Sequence, residues 1–227
     1  MAKTSRVLVI GDTHCPAMLP DYPEFLAGIY KAWDCDRVVH IGDVVDWAAC
    51  SFHDKEDETP RPLVEYEAAK KQVGELVKLF PKVTVMTGNH DALPRRKAQT
   101  IGIPFQLLRN YAELWDTPGW DWRPRFSTLE IDGVLYAHGD RGKGGQGAAL
   151  KNAKEHFMPW VQGHLHGQAS ATYYANENYI VFGLSVGCGI DVNAAVMRYG
   201  KKYNQKPLIG CGVVIDGRFA VFEPMTL

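Results

Sequence analysis

The sequence lacks the features that mark several large classes of protein. Its five cysteines are scattered and odd in number, and none forms a CxxC pair, so they predict reduced thiols rather than a disulfide framework. It contains no apolar run of about 18 residues and no apolar N-terminal segment of the kind found in signal peptides. We therefore expect a cytoplasmic protein that does not enter a membrane.

Strong net charge is also absent, as are internal repeats and low-complexity segments. The formal net charge is −1, so any attraction to phosphate must come from local clusters rather than from the chain as a whole. The Gly-x-x-x-x-Gly-Lys-Ser/Thr loop of nucleoside triphosphatases is missing too. What is present is an ordinary globular composition, with 46% hydrophobic and 22% charged residues among 227. That length predicts one domain covering residues 1–227.

The first half of the chain predicts alternating strands and helices. Short β-branched runs at residues 6–11, 37–42 and 82–88 have the pattern of buried strands. Residues 21–33 and 62–80 carry apolar side chains at helical spacing. Strand–helix–strand units of this kind form right-handed crossovers and a parallel sheet.

The second half instead predicts hairpins. Pairs of strand patterns flank the Asp-Gly turns at 132–133 and 216–217, and another pair flanks residues 176–178. A helix is predicted over residues 146–156. We therefore expect an α/β fold in which two packed mixed β-sheets are flanked by helices, an α-β-β-α sandwich.

Five short clusters of polar residues follow the predicted strands. Strand ends at one edge of an α/β sheet are where such folds place their sites, so the clusters predict one assembled site. They supply Asp, His and Asn but no Cys, and this mixture suits Mn, Fe, Zn, Co or Ni better than a thiolate-preferring ion. The clusters are Gly11-Asp12-Thr13-His14, Gly42-Asp43-Val44-Val45-Asp46, Gly88-Asn89-His90-Asp91, His138-Gly139-Asp140 and Gly163-His164-Leu165-His166.

Spacing within the clusters limits how they could hold two ions. A carboxylate is best suited to bridge ions about 3.5–4 Å apart, because its two oxygens can each face one ion. Asp43 and Asp12 are the candidates for this bridge. His14 lies two residues after Asp12 and could reach the same ion. His164 and His166 share that spacing, which in an extended chain points both side chains the same way.

The third cluster combines a candidate ligand with a candidate proton donor. Asn89 offers a neutral carbonyl oxygen, and His90 would point elsewhere if Asn89 points at the metal, as suits a proton donor. Asp91 could simply cap a helix that begins near Ala92. Asp46 is expected to hold the loop geometry rather than to react.

As a set, the clusters resemble the signature of the calcineurin-like metallophosphoesterase superfamily. That signature is Asp-x-His, Gly-Asp-x-x-Asp, Gly-Asn-His-Asp/Glu, a strand ending in His, and Gly-His-x-His. All five blocks occur in this order across residues 12–166. The chain after residue 167 is similar in its general run to small phage and bacterial phosphoesterases. The resemblance implies the two-sheet fold expected above.

The resemblance also implies a role for each residue of the clusters. One ion would be held by Asp12, His14, Asp43 and His166, and a second by Asp43, Asn89, His138 and His164, with Asp43 bridging. His90 would be the general acid, oriented by Asp91. The ions, Mn first and Fe, Zn, Ni or Co as alternatives, would lower the pKa of a bridging water so that hydroxide attacks phosphorus in line.

Local basic residues are candidates for substrate contact. Arg95 and Arg96 follow the third cluster, and Lys143 lies in the glycine-rich stretch after His138. Each could hold a phosphate or a nucleic-acid backbone, or could be an ordinary exposed cation. The basic stretch at residues 192–206 leaves the same two alternatives open.

We therefore expect a phosphodiesterase or nuclease that acts on a nucleotide or a nucleic acid. The alternative is a phosphomonoesterase acting on a phosphoprotein or a small phosphorylated metabolite. A non-catalytic scaffold that uses the metal site for protein binding is a remoter alternative, disfavoured by the complete ligand set and by His90. No membrane partner is expected, and the sequence does not indicate an oligomeric state.

Overall fold

The computed structural model describes residues 5–52, 59–194 and 206–226. Its strands are β1 (Arg6–Ile10), β2 (Arg37–His40), β3 (Val83–Met86), β4 (Trp120–Arg123), β5 (Leu129–Ile131), β6 (Val134–Ala137), β7 (Trp160–Gln162), β8 (Ala169–Ala175), β9 (Ile180–Val186), β10 (Gly210–Ile215) and β11 (Phe219–Pro224). Its helices are α1 (Tyr22–Ala32), α2 (Pro62–Leu79), α3 (Leu93–Thr100), α4 (Tyr111–Trp115) and α5 (Ala148–His156). His53 and most of the basic stretch at 192–206 lie outside the described residues.

The first sheet has six strands in the order β11-β10-β1-β2-β3-β4. Strands β1 to β4 run parallel. For β1, β2 and β3 this arrangement was predicted by the alternation of strands and helices. Strand β10 pairs antiparallel with both β1 and β11. The last predicted hairpin therefore extends this sheet from the side of β1, which makes the sheet mixed.

The second sheet has five strands in the order β5-β6-β7-β9-β8. Strands β6, β7 and β9 run parallel. Strands β5 and β8 are their antiparallel hairpin partners at the two edges. Both hairpins predicted in this part of the chain are present, and the short strand β7 inserts between them.

Alternating side chains of β1 explain how the layers stack. Val7 and Val9 join the apolar cluster between the sheets, together with Leu184 of β9. Leu8 faces the opposite way and packs in the cluster that includes Leu76 of α2. Helix α5 covers the outer face of the second sheet in a third cluster. Each side chain of this kind stabilises the fold by roughly 1.5–3 kcal/mol when fully buried. The predicted α-β-β-α sandwich is confirmed.

The loops that leave the C-terminal ends of the parallel strands meet at one edge of the sandwich. Backbone hydrogen bonds join them directly, with Thr13 N donating to Asp43 O at 3.1 Å and Gly163 N donating to His138 O at 3.0 Å. The first of these links two loops of the first sheet, and the second links two loops of the second sheet. No helix in the described part of the chain has both the length and the apolar character needed to cross a bilayer.

Candidate metal centre

Glycines in the cluster loops allow the backbone to approach the carboxylates closely. A Cβ atom on Gly88 would overlap Asp43 Oδ1, and a Cβ atom on Gly163 would overlap Asp12 Oδ1. A larger residue at either position would displace the carboxylate. The glycine that begins the third cluster and the glycine that begins the fifth cluster are therefore needed for packing at the site.

Three of the predicted ligands have a backbone conformation that residues with a side chain rarely adopt. The φ angles of His14, Asp43 and His164 are 45°, 47° and 64°. Such conformations cost on the order of 1–3 kcal/mol each and persist only where the surroundings impose them. Their concentration at these loops indicates that the loops are shaped for the site rather than for stability.

The first group of ligand atoms comes from Asp12, His14, Asp43 and His166, and these atoms all lie within 4.8 Å of one another. His166 Nε2 is 3.0 Å from Asp12 Oδ2. The Nε2 atoms of His14 and His166 face each other at 3.2 Å. Two imidazole nitrogens and two carboxylates converging on one point form a donor set that suits a divalent cation.

The second group is formed by Asp43, His138 and His164, again within 4.8 Å. Asn89 Oδ1 lies 3.1 Å from His138 Nε2 and so joins this group. On the far side of its ring, His138 Nδ1 is 3.0 Å from Ile41 O, to which it donates a hydrogen bond. This bond fixes the ring with Nε2 towards the group, as second hydrogen bonds of metal-binding histidines commonly do.

One oxygen of Asp43 belongs to both groups. Asp43 Oδ2 lies 3.6 Å from His14 Nε2 and 3.3 Å from His138 Nε2. Its other oxygen, Oδ1, accepts a hydrogen bond of 2.7 Å from His90 N. The backbone of the third cluster thus engages Oδ1, and Oδ2 is the oxygen that lies near both groups.

The electrostatics of these groups are those of buried anions that need a cation. Burial alone would raise the pKa of Asp43, but His138 and His90 hold it well below its usual range. Burial would lower the pKa of His138, yet the carboxylate of Asp43 raises it to about 10. Among the described residues, Asp12 Oδ1 is buried without a hydrogen-bond partner. Buried charge is stable only when it is paired or coordinates a metal, so the side chains fit bound cations.

Asp46 fixes the orientation of His14, a member of the first group. Burial would raise its pKa, but hydrogen bonds from His14 and His90 lower it to about 2, so it is an ionised acceptor. His14 Nδ1 donates to Asp46 Oδ1 at 2.7 Å. That bond leaves His14 Nε2 free to face the ligand group, and Asp46 thus holds the loop geometry as the sequence predicted.

The predicted contact between Asp91 and His90 is wrong. Asp91 Oδ1 accepts from Val45 N at 3.2 Å, and Asp91 Oδ2 accepts from Gly88 N at 2.8 Å. Asp91 therefore ties the second and third clusters together through backbone amides. Its side chain does not cap α3 either, since that helix begins after Ala92 without a side-chain cap.

The hydrogen-bond partners of the His90 ring belong to Asp46. His90 Nδ1 lies 2.8 Å from Asp46 O and 3.2 Å from Asp46 Oδ1. Burial would lower the pKa of His90, but Asp43 and Asp46 raise it to about 10. The ring is fixed through Nδ1, and its Nε2 atom is the one left for another partner.

A supporting residue that the sequence analysis missed is Glu65 of α2. Its carboxylate accepts from Ala48 N at 2.6 Å and Ala49 N at 2.9 Å, directly after Trp47. It therefore anchors the chain just past Asp46. The signal was available, because Glu65 occupies the buried face of α2 in helical register with apolar residues, where an acid needs a specific partner.

Arg95, Arg96 and Lys143, which were predicted to contact substrate, follow the ligand clusters in the sequence. In the structure their side chains contact other residues of the chain. The Arg95 guanidinium lies 4.1 Å from the Tyr111 ring centre and donates to Arg109 O at 3.2 Å. Arg96 lies 4.9 Å from the ring centre of Phe52. Lys143 Nζ is likewise engaged, 3.6 Å from a carboxylate oxygen of Glu155.

Residues 5–183 match the family described as calcineurin-like phosphoesterase. The chain belongs to the calcineurin-like phosphoesterase family. The matched region contains all five clusters and both ligand groups. This phosphoesterase is accordingly a metal-dependent hydrolase of phosphate esters, with Asp and His side chains positioned for metal binding.

Solved structures that are similar to this chain include a vacuolar protein sorting protein, a phosphoesterase and a nuclease. Vacuolar protein sorting 29 from Cryptosporidium parvum is 15% identical, with 93% of this chain and 85% of that chain covered and a TM-score of 0.48. The phosphoesterase Yfce from E. coli is 14% identical, with 92% and 87% covered and a TM-score of 0.46. The nuclease MPE from Pseudomonas putida is 13% identical, with 93% and 84% covered and a TM-score of 0.35. At these values the likenesses carry no argument about activity. None of the curated proteins compared matches the chain.

Proposed function

We propose that this phosphoesterase hydrolyses phosphodiester bonds in a nucleotide or nucleic acid with two divalent metal ions per chain. Asp12, His14, Asp43 and His166 would hold one ion, and Asp43, Asn89, His138 and His164 the other. The observation that carries the proposal is the position of Asp43 Oδ2, which is shared by both ligand groups. A carboxylate shared by two ligand groups would suit a pair of ions about 3.5–4 Å apart.

We propose manganese as the first candidate for the metal. Carboxylate, amide and imidazole ligands without thiolate suit Mn, with Fe, Zn, Ni and Co as further candidates. When bound, such ions would supply Lewis acidity, neutralising phosphate oxygens and acidifying a water molecule that attacks phosphorus. The chain's contribution is to fix the ligands, through Asp46 for His14 and through Ile41 O for His138.

His90 is proposed as the general acid. With Nδ1 engaged by Asp46, Nε2 is the atom that would donate a proton to the leaving oxygen. The carboxylates of Asp43 and Asp46 keep its pKa high, which favours the protonated form that an acid catalyst needs. Cations bound at Asp43 would offset part of this effect and bring the pKa closer to neutral pH, where proton donation is most effective. Asp91 is proposed to preserve the loop that presents His90.

The diester assignment is supported by the distribution of cations around the site. Arg95 and Arg96 lie on α3, which begins just after the loop that carries His90. We propose that they contact phosphates that flank the scissile bond of a longer substrate. A monoester carries no flanking phosphate and would not use them.

A substrate panel at neutral pH with Mn tests the proposed function. It should contain bis-p-nitrophenyl phosphate, p-nitrophenyl phosphate, a cyclic nucleotide, and single- and double-stranded DNA. Turnover of the diesters above the monoester, abolished by chelator and restored by Mn, is expected. Turnover confined to p-nitrophenyl phosphate would contradict the diester assignment and support a monoesterase.

A further inference from the structure

A cleft of about 390 Å³ opens beside His138, on the side of the second ligand group. Its volume falls in the range of roughly 300–1,000 Å³ that is usual for small-molecule sites. His138 lines this cleft, and its Nε2 atom lies 3.3 Å from Asp43 Oδ2 and 3.1 Å from Asn89 Oδ1. His138 is therefore common to the second ligand group and to the lining of the cleft.

One wall of the cleft is an aromatic ring that the protein holds in place. Phe126 is 48% exposed, and the Arg125 guanidinium lies 4.3 Å from its ring centre. Arg125 Nε in turn donates to Asp140 Oδ2 at 2.7 Å, and the Asp140 side chain is only 6% exposed. The φ of Phe126 is 69°, a conformation that a bulky residue rarely adopts. A large apolar ring is thus kept at the surface, beside a partly buried ion pair, rather than being packed into the core.

Two further rings contribute to the cleft. The His156 ring lies 4.6 Å from the Trp160 ring at an interplanar angle of 33°. His156 Nδ1 donates to Asn152 O at 2.9 Å, which fixes the imidazole. Asn152 also accepts from Lys143 N at 2.7 Å and so fastens the glycine-rich loop that forms the roof of the cleft. The cleft is therefore built of parts that hold one another in position.

Both acids that line the cleft lie next to cations. Asp140 is paired with Arg125, and Glu155 lies 3.6 Å from Lys143 Nζ. Beyond these two pairs the lining presents ring faces, the Ser127 hydroxyl and the Arg141 side chain. Flat aromatic groups with hydrogen-bonding edges have the matching chemistry, and a nucleobase is such a group.

We propose that this cleft binds the nucleoside attached to the scissile phosphate, with its base against Phe126 on one side and the His156–Trp160 pair on the other. The inference rests on the proposed phosphodiesterase function and adds to it the class of the substituent. It makes Phe126 and His156 specificity-determining residues that act through binding and take no part in the proton transfer.

Two chromogenic diesters with the same leaving group test the proposal. Methyl p-nitrophenyl phosphate and thymidine 5′-(p-nitrophenyl phosphate) both release p-nitrophenol and differ only in the second substituent. Stacking of a base on an aromatic side chain is worth roughly 5- to 150-fold in binding. Phe126→Ala and His156→Ala should each raise KM for the thymidine diester by a factor in that range and leave the methyl diester unchanged. Phe157→Ala is the matched control, since this exposed ring follows His156 but packs towards Tyr179, and it should change neither substrate.

The outcomes separate this inference from the proposed function. Turnover of both diesters with equal KM in the unmodified protein, and no selective effect of either variant, would overturn the nucleoside subsite alone. An equal loss on both diesters in both variants would overturn it as well, because it would point to disruption of His138 rather than loss of a base contact. Turnover of p-nitrophenyl phosphate without turnover of either diester would overturn the phosphodiesterase function itself.

Discussion

Replacing Asp46 with Asn tests how the two histidines of the site are oriented. Asn keeps the shape of the side chain but removes its negative charge. In the unmodified protein, Asp46 Oδ1 accepts a hydrogen bond from His14 Nδ1 at 2.7 Å and lies 3.2 Å from His90 Nδ1. A hydrogen bond to a charged group contributes roughly 1.5–3 kcal/mol. Each weakened contact therefore corresponds to roughly a 10- to 150-fold effect. The effect through His14 should appear in metal affinity, and the effect through His90 in kcat.

The leaving group of the substrate distinguishes these two routes. At saturating Mn, kcat of Asp46→Asn should fall by roughly 10- to 150-fold on a diester with an alkyl leaving group, which needs a proton. It should fall much less on a p-nitrophenyl diester, whose leaving group scarcely needs one. His90→Gln should show the same pattern with a loss of roughly 10²–10⁴ on the alkyl diester. In the double variant the Asn substitution should add little to that loss, because its effect on kcat acts through His90.

Asp91→Asn is the matched control for this experiment. Asp91 is also a buried carboxylate next to the site, but it accepts from the backbone amides of Val45 and Gly88. Its replacement should lower stability without changing the dependence of kcat on the leaving group. If Asp91→Asn reproduced that dependence and Asp46→Asn did not, the orientation of His90 by Asp46 would be refuted.

Three further predictions follow from other parts of the site. Replacing both Arg95 and Arg96 with Ala should raise KM for DNA and leave KM for a small chromogenic diester unchanged. The rise in KM should be smaller at high salt, because counterion release makes phosphate contacts salt-dependent. An equal rise in KM for both substrates, measured in parallel assays, would assign the two arginines a structural role. Gly88→Ala should displace Asp43, because the added Cβ would overlap its carboxylate. Elemental analysis of the folded variant should therefore find less bound metal than in the unmodified protein. Full metal content would contradict the need for glycine at this position. Burial lowers the pKa of His40 to about 3, below the value of about 6.5 expected in the unfolded chain, so protonation favours the unfolded state. The free energy of unfolding should therefore fall by about 1.4 kcal/mol per pH unit from this group as the pH falls below about 6.5. Denaturant unfolding in chelator should show a shallower decline with pH in a folded His40→Gln variant, and equal declines in the two proteins would refute the buried, neutral state of His40.

The sequence could predict that the seven candidate ligands lie together, because each belongs to a short motif directly after a strand. Their convergence follows from parallel strands ending at one edge, which the alternation of strand and helix patterns already indicated. The position of Asp43 Oδ2 near both groups could not be predicted in the same way. It depends on the close approach of Gly88 to Asp43, a contact between residues 45 positions apart in the chain.

Adjacency in sequence misled the assignment of Asp91. The chain turns after His90 so that the next carboxylate points into the gap between two loops, while Asp46, 44 residues earlier, reaches the imidazole. The pairing of the last hairpin with β1 was equally hidden, since a hairpin pattern specifies its own two strands but not the sheet edge they join. Strands β4 and β7 were not predicted, because their residues, Trp-Asp-Trp-Arg and Trp-Val-Gln, lack the β-branched runs that marked β1, β2 and β3. That residues 1–227 form a single domain stays a prediction.

Metal stoichiometry tests the central claim most directly. The protein should be saturated with Mn, freed of unbound metal and analysed for metal and protein in the same sample, alongside Asp43→Asn. Because Asp43 Oδ2 belongs to both ligand groups, the account predicts two ions per chain in the unmodified protein and loss of one or both in the variant, with a large loss of rate. A saturated value of one ion per chain, or an Asp43→Asn variant that keeps two ions and full activity, would contradict it.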